Sequence, residues 1–100
     1  MNKQFVQVLT DIRCNWQKSS PRYRVYVGGE LFTERTWIWK DMYLEELLQI
    51  NAAPGEYLIE YQLLKPHKAE LHISNMRILL GDAYIKDGNI LVIRWEQKSL

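Results

Sequence analysis

The 100-residue chain predicts an antiparallel β-sandwich of about eight short strands, with at most one short helical turn. Three observations point there. Apolar residues recur with period two along most of the sequence, which is the spacing of strands with one face inward. Turn residues punctuate these runs at Ser19-Ser20-Pro21, Gly28-Gly29, Pro54-Gly55, Lys65-Pro66, Gly81-Asp82 and Asp87-Gly88. Hydrophobic residues make up 47% of the chain against 25% charged, enough for one core in a single domain spanning residues 1–100.

The first strand starts near Val6, with Val8, Ile12, Cys14 and Trp16 on one parity and Gln7, Asp11, Arg13 and Asn15 between them. Tyr23, Val25 and Val27 form the second, and Gly28-Gly29 turns it into a third strand from Glu30 to Trp39, because primed two-residue turns need positive φ. Lys40 to Ile50 fits two readings. Asp41 can cap a helical turn over Asp41 to Glu46, with Tyr43, Leu44, Leu47 and Leu48 at helical spacing. Leu44, Leu48 and Ile50 equally share strand parity, and Ala53-Pro54-Gly55-Glu56 fits a type II turn, so a hairpin about Pro54-Gly55 is the preferred reading. Tyr57, Ile59, Tyr61 and Leu63 continue it. Leu71 and Ile73 begin another strand that runs through Met76 to Leu80. Ala83 to Lys86, the Asp87-Gly88 turn and Ile90 to Trp95 complete the set. The expected core is Val6, Val8, Ile12, Cys14, Val25, Val27, Leu48, Ile50, Tyr57, Ile59, Tyr61, Leu71, Ile73, Ile78, Val92 and some of the tryptophans.

Composition excludes several function classes. Thirteen basic and twelve acidic residues leave a net charge of +1, without the clustered basic excess of a nucleic-acid binder. One cysteine offers neither an internal disulfide nor a structural zinc site. No signal-peptide pattern, membrane-length apolar run or Asn-x-Ser/Thr acceptor appears, so cytoplasmic synthesis without export is expected.

Candidate chemistry is sparse. Glu34, Glu45, Glu46 and Glu60 read as solvated charges on an outer face, since carboxylates are rarely buried. His67 and His72 lack partners at metal spacing, and Cys14 has the parity of a small buried hydrophobe. No phosphate loop or nucleophile elbow is present, and no enzyme, cofactor or metal is expected. The four Trp and six Tyr are the informative group. Trp37 and Trp39 share one face of a strand with Arg35, and Tyr26 sits on the polar parity of its own strand. Facing outward, the tryptophans form a stacking platform. Facing inward, they are core, and that is the preferred reading.

The run Tyr23-Arg24-Val25-Tyr26-Val27-Gly28-Gly29-Glu30-Leu31-Phe32-Thr33-Glu34-Arg35-Thr36-Trp37, with Leu44-Glu45-Glu46 and Pro54-Gly55-Glu56-Tyr57, resembles two groups. It is similar to small β-sandwich proteins of tailed bacteriophages, particularly those infecting cyanobacteria, and to β-sandwich carbohydrate-binding modules. The resemblance spans roughly the middle third of the chain and is one of strands and turns, so no site residue carries over. Calcium-binding modules of the second kind bring acidic loop clusters that this sequence lacks. The resemblance implies a non-enzymatic structural or interaction protein, such as a capsid-decorating or tail-associated virion subunit. The alternative is a carbohydrate-binding module using Trp37 and Trp39, with a glycan as partner.

Self-association is also expected. The last strand is apolar on both parities, Ile90 and Val92 against Leu91, Ile93 and Trp95, as is Met76 to Leu80. One core cannot take both faces, which predicts protein partners, a homo-oligomer or an assembly subunit, through outer residues Leu91, Ile93 and Trp95.

Overall fold

The computed structural model describes residues 3–16, 20–37, 43–64 and 69–94. It is all-β, with eight strands in two antiparallel sheets. Strands β1 (Gln4–Asn15), β4 (Tyr43–Ala52) and β6 (Glu70–Leu80) form a three-stranded sheet in the order β4-β1-β6. Strands β2 (Arg22–Val27), β3 (Glu30–Thr36), β5 (Gly55–Leu64), β7 (Ala83–Lys86) and β8 (Ile90–Ile93) form the second, in the order β3-β2-β5-β8-β7. Among the described residues no helix is long and apolar enough to cross a membrane.

Alternation decides which side of each strand is dry. On β1 every even residue from Val6 to Cys14 is buried, and β4 answers with Glu46, Leu48 and Ile50 in an unbroken ten-residue register. Tyr23 and Val25 of β2, Ile59 of β5, and Leu91 and Ile93 of β8 close the core from the other sheet. The Gly28-Gly29 turn forms as expected: φ is 61° and 84°, and Val27 pairs with Glu30 across it. Gly81 carries the chain from β6 into β7 at φ 110°, where a Cβ would lie 2.8 Å from the Phe5 carbonyl oxygen.

The strand reading of Tyr43 to Ile50 holds: pairing with β1 buries one parity of the segment and outweighs its helical spacing, while Asp41 lies outside the described residues. Three expectations are corrected. Pro54-Gly55 does not make a hairpin. Strands β4 and β5 belong to different sheets, so the segment is a corner between layers, spanned by the Tyr57 hydroxyl donating to the Ala53 carbonyl at 2.6 Å. The parity of β8 is the reverse of that expected. Its pairing with β5 sets Leu91 opposite Tyr57 and Ile93 opposite Gly55, so Leu91 and Ile93 are 0% and 1% exposed while Val92 faces outward, half-buried. Ile73 is not core either. It lies on β6, the edge of the smaller sheet, and remains exposed.

Candidate functional site

The residues singled out in the sequence do not converge. Trp37 is 1% exposed and is core, which removes it from any stacking platform. Trp39 and Trp95 lie outside the described residues. Leu91 and Ile93 cannot form an outer contact, since the core covers them. Tyr26 does face outward, where its hydroxyl bonds the Gln62 side chain at 3.2 Å. Arg35 reaches inward from β3 and meets a carboxylate.

That carboxylate is Glu46, expected at the surface and found with a fully buried side chain. The Tyr23 and Tyr61 hydroxyls each donate to it at 2.7 Å, one to each oxygen, and the Arg35 Nε lies 3.1 Å away. Strand position explains the cluster. Glu46 is the inward β4 residue opposite Thr10, while Tyr23, Tyr61 and Arg35 come from three neighbouring strands of the other sheet. The two phenol rings stack at 6.0 Å. Burial, then the adjacent Glu46, push both hydroxyls far above the ordinary phenol range, so both remain donors. No part of this carboxylate is exposed among the described residues. It is an inter-sheet lock, built from charge-assisted hydrogen bonds in a dry interior. Strand parity signals it in the sequence, because Glu46 falls between Leu44 and Leu48 on the inward face.

The outer face of the β4-β1-β6 sheet divides into two halves. At one end lie Phe5, Leu9, Leu47 and Leu80. Leu9 pairs directly with Leu47, and Leu80 stands opposite Gln7, between Phe5 and Leu9 on β1. Phe5, Leu79 and Leu80 are 46%, 55% and 51% exposed. A register shift between Gln7 and Val8 accommodates Leu79 as the extra residue and turns Leu80 outward. The other half is polar. Arg77 bridges Asp11 at 3.0 Å and Glu45 at 2.5 Å, and Asn75, held at φ 52° in a second irregularity, donates to Asp11 at 3.2 Å. These hydrogen bonds, Asn75's foremost, hold the Asp11 carboxyl below the usual carboxylate range. Beyond them Arg13 stands between Tyr43 on β4 and His72 on β6.

The larger sheet's outer face also exposes apolar side chains, Leu31, Leu58 and Tyr84. Tyr84 lies beneath the Arg94 guanidinium at 5.1 Å, and a Lys86–Glu56 ion pair at 3.1 Å crosses the ladder beside Ile90 and Val92. Arg22 and Arg24 are both engaged by Glu34. Cys14 is buried as expected, and burial pushes its thiol up, away from the reactive thiolate. Comparison with protein-family models, curated proteins and solved structures finds no match.

Proposed function

We propose that this chain is a non-enzymatic assembly subunit that binds a second copy of itself through the apolar half of its β4-β1-β6 face. The observation that carries the reading is the grouping of Phe5, Leu9, Leu47 and Leu80 around Gln7 on a sheet face that has no second layer over it among the described residues. Apolar patches of this kind on a solvated face mark interaction sites. A second copy is the favoured occupant because the patch is uncharged and matches itself about a two-fold axis.

Size sets the strength. Three strands spaced about 4.8 Å apart, with the three outward positions Phe5, Gln7 and Leu9 along β1, give a face of about 300 Å² per copy. That is the weak end of interfaces, so a single contact holds no better than tens of micromolar, as suits a subunit strengthened by repetition in an assembly. A virion is the setting suggested by the resemblance of the Tyr23–Trp37 run. Sedimentation equilibrium tests the reading: the wild-type chain should shift from monomer to dimer between roughly 1 and 500 µM, and Leu80→Asp should remain monomeric with an unchanged melting temperature. A wild-type chain that stays monomeric throughout would contradict it.

A further inference from the structure

The polar half of the same face carries a feature that assembly leaves unexplained. Arg13 is exposed and has no ion pair or hydrogen-bond partner among the described residues, whereas Arg22, Arg24, Arg35, Arg77 and Arg94 each hold a carboxylate. Register places it directly between Tyr43 and His72, across the sheet from each. With Asp11, Asn15 and Ser74, these residues line an open cleft of about 500 Å³. That volume suits a monosaccharide or disaccharide.

We propose that this cleft binds an acidic sugar, with Arg13 as the carboxylate-recognising residue. A planar guanidinium offers two parallel N–H donors that match a carboxylate. The exposed Tyr43 ring supplies an apolar face for the sugar's C–H groups, and Asp11, Asn15, His72 and Ser74 supply acceptors and donors for its hydroxyls. The nearby acidic residues do not repel such a ligand outright. Arg77 pairs with both Asp11 and Glu45, and with Arg13 added these four side chains carry no net charge. Glu70 is turned to His72 at 3.3 Å. The cleft begins two residues beyond Leu9 and shares no side chain with the apolar half, so the two proposals stand or fall separately.

The test is an amide chemical-shift titration of the full chain at constant ionic strength, with sodium glucuronate as the probe. Glucose, sodium acetate and inorganic phosphate separate the sugar contribution from the charge. Glucuronate should shift Arg13, Tyr43, His72 and Ser74 saturably with a Kd of about 1 mM, typical of a small polar ligand, and the other three should bind at least about tenfold more weakly. Arg13→Ala should abolish the response, Tyr43→Phe should retain it, and Tyr43→Ala should weaken it about tenfold. Both side chains are exposed, so unchanged melting temperatures will confirm that these variants fold. Equal binding of acetate or phosphate would reduce the cleft to a plain anion site. That result, equal binding of glucose, absence of any saturable shift, or an undiminished response in Arg13→Ala would each overturn the proposal.

Discussion

Replacing Glu46 by Leu should cost this protein a large part of its stability. The side chain is fully buried and accepts two hydroxyl hydrogen bonds at 2.7 Å. Hydrogen bonds to a buried charged group contribute about 1.5–3 kcal/mol each, and removing the acceptor strands two hydroxyls in a dry interior. The Arg35 contact is discounted, because that guanidinium is half in water and can be solvated once released. The sum is about 3–5 kcal/mol, which matches the usual cost of breaking a buried polar cluster from one side. For a chain of this length it lowers the midpoint of thermal unfolding by roughly 15–30 °C. Urea and thermal unfolding followed by circular dichroism measure it. The triple variant Glu46→Leu, Tyr23→Phe, Tyr61→Phe should recover most of the loss, since it removes the donors with the acceptor. If Glu46→Leu alone unfolds within about 1 kcal/mol of wild type, the cluster is not the inter-sheet lock described above.

Three further outcomes follow from the same structure. Tyr23 and Tyr61 are pushed up by burial and by Glu46, so in the folded chain they stay protonated where unfolded tyrosines ionise; their contribution should be constant below about pH 10 and then fall by up to about 1.4 kcal/mol per pH unit for each, a slope that Tyr61→Phe should reduce. Asp11 is held low chiefly by Asn75 and then Arg77, so its contribution is present above the ordinary carboxylate pKa and is lost on acidification; Asn75→Ala should raise its titration midpoint in side-chain carboxyl NMR. Gly81→Ala should destabilise by about 1–3 kcal/mol or more in urea unfolding, because the new methyl meets the Phe5 carbonyl at a φ of 110° that L-residues avoid.

Local chemistry made much of the fold legible. Period-two alternation located the strands, and the paired glycines at positions 28 and 29 and the Asp87-Gly88 dipeptide marked turns that do form. What misled was information that pairing alone supplies. Pro54-Gly55 has the residues of a hairpin turn, but whether its flanking strands pair depends on β4 finding β1 instead. In β8 both parities are apolar, so only the register against Tyr57 selects Leu91 and Ile93 for the core. The same limit hid the lock. Carboxylates are placed outside by default, and Glu46 is buried only because two tyrosines from the opposite sheet reach it. The apolar half-face was foreseeable from Met76 to Leu80, though its other members, Phe5, Leu9 and Leu47, join it only through the β4-β1-β6 order.

The most direct test of the assembly role is an isotope-filtered NOE experiment on mixed labelled and unlabelled chains at roughly millimolar concentration, where a contact of tens of micromolar is saturated. The account predicts intermolecular NOEs from the methyl groups of Leu9, Leu47 and Leu80 and the ring of Phe5, and none from the buried Leu91 and Ile93. Intermolecular NOEs confined to Leu58 and Tyr84 on the other sheet, or no intermolecular NOEs at all, would contradict it.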